Sequence, residues 1–217
     1  MNTEKKYRPR KIEEFVFGDP YVEQQIKRYT DGKTTRPLIL YGPNGTGKTL
    51  LADIIPMELD GPNVKVDRIL SGSLTSSEIV RKTFSRSSFY DQNFVVEGQS
   101  RSYIICNEAH IDSRAKRTLR ESLDTMGEND LAIFTTNELA KLDPGLLSRA
   151  EKVEVLPVTP NLFLPWAQKI LIAEGIEIQD DPLLKLLNAV YEAERDNRAY
   201  YKTLDQIIEQ YSDAMLQ

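Results

Sequence analysis

The chain has 217 residues with 28 Lys and Arg against 33 Asp and Glu, a formal net charge of −5, which excludes a protein that coats nucleic acid through bulk positive charge. Its length suits one domain of ordinary size with a small companion. No apolar run approaches the roughly 20 residues that cross a bilayer, and a single cysteine and a single histidine exclude an internal disulfide and a multi-histidine metal site.

The first predicted strand, Leu38 to Tyr41, is apolar and runs straight into Gly42-Pro43-Asn44-Gly45-Thr46-Gly47-Lys48-Thr49, which satisfies G-x-x-x-x-G-K-[ST] in full. The glycines let such a loop turn its backbone N–H groups inward, where they and the N-terminus of the following helix solvate phosphates. Lys48 adds a point charge there, and the Thr49 hydroxyl is a ligand for Mg²⁺. Leu50 to Ile55 continue as a helix that Pro56 is expected to end or kink.

Val64 to Leu70 reads as a second strand. Thr75-x-x-Glu78 forms a capping box opening a helix with Ile79, Val80 and Phe84 on one side. Ser102 to Cys106 is a third apolar strand, in which Cys106 reads as a small buried hydrophobe. Ala115, Leu119 and Leu123 recur every fourth residue after Asp112-Ser113 and mark a helix with arginines on its other faces. Leu131 to Thr135 and Val153 to Leu156 complete five strands. Helices alternating with short buried strands imply an α/β fold, a three-layer parallel five-stranded sheet with ligands at the strand C-terminal ends.

After Leu156 the pattern changes. Pro157-Val158-Thr159-Pro160 reads as a hinge, and only helical periodicity follows: Leu162 to Glu174, capped by Gly175, then Pro182 to Glu194 and Asn197 to Met215. The expected division is therefore an ATP-binding α/β domain over 1–156 and a small all-α lid over 157–217. Between Ile79 and Arg120, eight basic residues stand against four acidic ones, 8 − 4 = +4, so a local basic surface is expected inside an acidic protein.

Taken together these motifs resemble the AAA+ ATPases of the P-loop NTPase fold and, within them, the small subunits of clamp loaders such as replication factor C and their phage counterparts. Lys6-Tyr7-Arg8-Pro9, with Ile12 to Phe15 and Gly18, is similar to the family's opening "KYRP" segment, which implies that Tyr7, Arg8 and Pro9 fold over the adenine. Gly42 to Thr49 is close to its "GPPGTGKT" loop. Asn107-Glu108-Ala109-His110 sits at the family's "DEAD" box, departing at its first and last positions. The resemblance makes Glu108 the residue that activates the lytic water and puts Asn107 where an aspartate holds hydrated Mg²⁺. Asparagine keeps the shape and one acceptor oxygen but loses the charge, so weak or disabled turnover is expected. A naturally weak hydrolase and an aspartate replaced to trap the ATP-bound state both fit this residue.

Thr135-Thr136-Asn137 resembles the first sensor, with Asn137 positioning the water. Leu147-Ser148-Arg149-Ala150 resembles the "SRC" motif, which makes Arg149 the finger that enters a neighbouring subunit's ATP site. Asp196-Asn197-Arg198 followed by Leu204 resembles "GDxR…L", which makes Arg198 the second sensor. The resemblance implies ATP and Mg²⁺ as cofactors, other AAA+ subunits as partners, and a cytoplasmic, replication-associated location of phage or archaeal-like type. It also implies contacts to the DNA backbone through Arg81, Lys82 and Arg120, and a sliding clamp as a further partner. The family continues past the lid with a helical collar, whereas this sequence stops at Gln217.

Overall fold

The computed structural model describes residues 2–69, 76–90, 101–107, 112–113 and 115–215, with the backbone alone for 85–90 and 215. Five strands form one parallel sheet: β1 (Leu38–Tyr41), β2 (Asp67–Ile69), β3 (Ser102–Cys106), β4 (Asp130–Thr136) and β5 (Glu151–Glu154), in the order β2-β3-β4-β1-β5. The helices of this part are α1 (Thr3–Lys6), α2 (Pro20–Thr30), α3 (Lys48–Asp60), α4 (Ser77–Tyr90), α5 (Lys116–Asp124) and α6 (Pro144–Arg149).

Alternation along the strands sends side chains to opposite faces, and each face has its own core. Leu38, Leu40, Ile105 and Ile133 pack with Ile26, Leu51 and Ile55 of α2 and α3. Ile39, Ile104, Cys106 and Phe134 pack with Val80, Phe84 and Leu119 of α4 and α5. Strand β4 is buried along its whole length, as a central strand with both faces covered should be. Burial in this layer pushes the Cys106 thiol well above its ordinary range, in keeping with a packing role.

The structure corrects four sequence expectations. Helix α3 does not stop at Pro56 but runs on to Asp60, because Ile54, Ile55 and Pro56 are all buried and packing carries the helix past the missing N–H. Strand β2 is only Asp67–Ile69, with Asp67 and Arg68 exposed at the sheet edge, while Val64 and Val66 pack against the core ahead of it. Ile79 is 41% exposed and leaves the buried side of α4 to Val80 and Phe84. Helix α2 was not expected, although Asp19 caps it through the Tyr21 N–H and Pro20 opens it. The capping residue Thr75 lies outside the described residues.

A third apolar cluster belongs to α7 (Pro160–Ala173), α8 (Asp180–Glu194) and α9 (Asn197–Met215). Phe163 stacks on Tyr200 at 4.4 Å between ring centroids. The N-terminal helix α1 docks on these helices: Thr3 N–H donates to Asp205 at 2.8 Å, and its hydroxyl donates to the Tyr201 carbonyl at 3.0 Å. No helix among the described residues is long and apolar enough to cross a membrane.

Candidate functional site

The register of the sheet decides which residues meet at its C-terminal edge. Cys106 lies beside Phe134, and Tyr41 beside Thr136. The residues one step further on therefore gather there: Asn107 after β3, Asn137 after β4, and the Gly42 to Thr49 loop after β1. Thr135 Oγ1 donates to Asn107 Oδ1 at 3.3 Å, which ties the ends of β3 and β4 together. That bond uses the one carbonyl-type oxygen an asparagine offers at this position.

The loop opens into a cleft of about 450 Å³, within the size range of small-ligand sites. Its polar lining includes Asn44 to Thr49, Asn137 and Arg198, with the carboxylates of Glu4 and Glu14 in the same cleft, and its apolar lining includes Pro9, Phe15, Val16, Val158, Phe163 and Tyr201. All three loop glycines, Gly42, Gly45 and Gly47, have positive φ, and the last two face other parts of the chain across the cleft's edge. Gly45 has φ +74° and lies directly against the Asp196 carboxylate. Gly47 has φ +95°, and a Cβ there would stand 2.8 Å from the Phe15 ring. Lys48 is 8% exposed and its ammonium donates to the Gly42 carbonyl at 2.9 Å and the Pro43 carbonyl at 2.5 Å.

The helical part closes over this loop. Asn197 Oδ1 accepts from Val158 N–H at 2.9 Å, and its amide reaches the Thr46 carbonyl at 3.5 Å. Asp196 accepts the Arg198 backbone N–H at 2.8 Å, capping α9, and pairs with the Arg198 guanidinium at 3.0 Å. Hydrogen bonding to Asp196 pushes the Arg198 pKa above its ordinary value.

Gly42 and Pro43, expected to contact nucleotide, are absent from the cleft lining and give their carbonyls to Lys48, while Arg8, Pro9 and Asn44 to Thr49 line the cleft. Tyr7 does not. Its hydroxyl donates to Glu174 at 2.5 Å and its ring packs on the lid cluster, because α1 is anchored to α9 and carries Tyr7 with it. The Arg8 guanidinium shares Asp53 with Arg68, at 2.8 and 2.5 Å. Phe15 entered the sequence reading of the site as part of the opening segment, while Val16, Val158, Phe163 and Tyr201 escaped it. They come from three distant segments, and no local spacing announces them. The expected catalytic Glu108 lies outside the described residues, as does His110.

Arg81 and Lys82 are exposed on α4. Arg120 is already engaged: its Nε donates to the Lys116 carbonyl and lies 3.3 Å from Asp143, the N-cap of α6. Arg149, at the end of α6, is held by Asp124 through two bonds of 2.7 Å.

The residues present fit a nucleotide with a divalent cation. The phosphate loop and Lys48 line the cleft where phosphates would lie, and the Thr49 hydroxyl in that lining, with the Asn107 amide oxygen at the end of β3, would be the oxygens offered to a cation. Among the described residues no group of three or more His, Cys, Asp or Glu could hold a metal alone.

The fold and this cleft define a P-loop nucleotide-binding protein. Residues 38–158 match the ATPase family associated with various cellular activities, and the chain belongs to that AAA family. The chain is 29% identical over 200 residues to a replication factor C small subunit of Halobacterium salinarum, covering 89% of this chain and 58% of that protein. It is 26% identical over 179 residues to replication factor C small subunit 1 of Pyrobaculum arsenaticum, covering 82% and 54%. With replication factor C subunit 4 of Caenorhabditis elegans it shares 26% over 189 residues, covering 84% and 56%. The chain thus spans little more than half the length of the curated relatives it matches. Among solved structures, the Thermotoga maritima RuvB Holliday junction branch migration motor superposes with a TM-score of 0.73 at 17% identity, over 96% of this chain and 67% of that one.

Proposed function

We propose that this chain is an ATP-dependent AAA+ subunit of clamp-loader type, which couples ATP binding and hydrolysis to the handling of DNA or a sliding clamp in replication. The observation that carries this reading is the joining, at one sheet edge, of the phosphate loop, Asn137 and the lid residue Arg198, in a chain similar to replication factor C small subunits over most of its length. In this reading the phosphate loop and Lys48 hold the β- and γ-phosphates, and the apolar lining with Arg8 and Pro9 receives the base. Thr49 and Asn107 hold Mg²⁺, and Glu108 with Asn137 places the water. The metal's contribution is to offset charge on the transferring phosphoryl group.

Arg198 reports on the γ-phosphate from the lid, and Arg149 completes the site of a second subunit. The 1–156 and 157–217 division follows the separation of the third apolar cluster from the two on the sheet, with α1 riding on the lid. Arg81 and Lys82 are the residues best placed for DNA phosphates, and Arg120 would have to leave Asp143 to join them. Replication-associated localisation follows from the same reading.

Asn107 favours a second reading, a scaffold that binds ATP with little hydrolysis. Steady-state ATP turnover with and without primed DNA, on this chain and on Asn107→Asp side by side, separates the two. A motor gives strong DNA-stimulated turnover in the aspartate form and little in the parent. Flat rates in both, with ATP bound, overturn the motor reading for this chain.

A further inference from the structure

The last residue of α5 is an aspartate, the wrong charge for a helix C-terminus, where the unsatisfied carbonyls favour cations. Asp124 is also exposed, at 53% of its side chain, so burial does not account for it. Its partner does. Asp124 Oδ1 accepts from Arg149 Nε and Oδ2 accepts from Arg149 Nη2, both at 2.7 Å, while Arg149 Nη1 donates to the Gly145 carbonyl at 3.1 Å.

A guanidinium offers five N–H groups in a rigid plane. The carboxylate grips the lateral Nε/Nη2 edge and the Gly145 carbonyl takes one Nη1 hydrogen, so one N–H on each of Nη1 and Nη2 has no hydrogen-bond partner among the described residues. A surface ion pair adds little to stability, but a fork-to-fork pair fixes the plane and direction of the arginine. The guanidinium is thus held in one orientation at the surface, 33% of its side chain exposed, with donors on both terminal nitrogens left to offer.

We infer that Asp124 is a positioning residue for Arg149, holding the guanidinium so that its remaining N–H groups meet the phosphates of a nucleotide bound to a second copy of this chain. The inference rests on the reading of Arg149 as a residue that acts on a neighbouring subunit. The gain is entropic: a long side chain that would otherwise be ordered only on assembly is ordered beforehand. Burial of the pair at a subunit interface would further strengthen its direction without altering the assignment of donors.

The test uses the Asn107→Asp chain at subunit concentrations where turnover per subunit no longer rises, comparing Arg149→Ala, Asp124→Ala and Asp124→Glu for kcat, KM for ATP and urea midpoint. Arg149→Ala should lose most of the turnover. Asp124→Ala should lose about three- to tenfold in kcat, the equivalent of releasing one long side chain. Its KM should change less than kcat, since the cleft that holds the nucleotide is unchanged, and its urea midpoint should stay close to the Asn107→Asp reference, since an exposed ion pair adds little stability. Asp124→Glu, which keeps the charge, should recover much of the rate. If Arg149→Ala is slow while Asp124→Ala matches or exceeds the reference, the positioning role is overturned, and a faster rate would mean that Asp124 restrains the arginine. If Arg149→Ala does not slow turnover, or no form turns over, the underlying reading fails and the inference with it.

Discussion

Replacing Gly45 by alanine should reveal how the lid rests on the phosphate loop. With φ at +74°, an L-residue here costs about 1–2 kcal/mol of backbone strain, reduced by about 0.4–1 kcal/mol because alanine has less unfolded-state freedom to lose. The new methyl would also fall on the Asp196 carboxylate and drive it from its place capping α9 at the Arg198 N–H, a further loss of about 1 kcal/mol. Gly45→Ala should therefore destabilise by about 2 kcal/mol and Asp196→Ala by about 1 kcal/mol. The double variant should also lose only about 2 kcal/mol, since the cap is lost once in either case, giving a coupling of about 1 kcal/mol. Urea unfolding followed by the fluorescence of Trp166 reads this directly, because it is the only tryptophan and its indole N–H donates to the Tyr201 hydroxyl within the lid at 3.1 Å. Additive losses, to within about 0.5 kcal/mol, would refute a carboxylate pressed on the loop.

Two further outcomes follow from the lid and its anchor. Among the described residues Arg195 is the one non-glycine residue with positive φ, at 48°, where the resembling family motif has glycine. Its side-chain partners are weak, Glu192 at 3.9 Å and the Tyr191 ring at 5.7 Å. Arg195→Gly should raise stability by about 0.5 kcal/mol, strain relief less the entropy cost, and a lowered urea midpoint would show that those partners outweigh the strain. Glu174 accepts from Lys6 at 2.6 Å and from Tyr7, and these bonds hold its carboxyl below the ordinary carboxylate range. A depressed folded-state value gives stability that is present above the unfolded pKa, about 4.3, and is lost as pH falls through the lower folded value. Glu174→Gln should thus be less stable than the parent at pH 7 and converge on it as pH falls below the ordinary carboxylate range, and a gap unchanged through that fall would count against the pair.

The parts of the site legible in the sequence are those whose chemistry is local. Eight consecutive residues make the phosphate loop, and its glycines declare the backbone turn they must adopt. The three lid helices were likewise readable from periodicity, with α9 found at its expected bounds. What the sequence withheld depends on contacts between distant segments. Tyr7 sits beside Arg8, yet α1 anchors it to Glu174, the C-cap of α7, while Arg8 reaches Asp53. Asp124 and Arg149 are 25 residues apart, and nothing in either helix alone marks them as partners. Pro56 read as a helix breaker because its own chemistry opposes a helix, and only the buried surroundings of α3 reverse that.

The most direct test of the proposed shared site is complementation in the Asn107→Asp background, mixing Lys48→Ala subunits with Arg149→Ala subunits. Each alone lacks half of every site: the first has Arg149 but no working phosphate loop, and the second has the loop but no arginine to lend. If Arg149 completes a neighbour's site, the mixture should hydrolyse ATP well above the mean of the two separate preparations, because the first lends its arginine to the second. A mixture no faster than that mean would contradict a site built across two subunits.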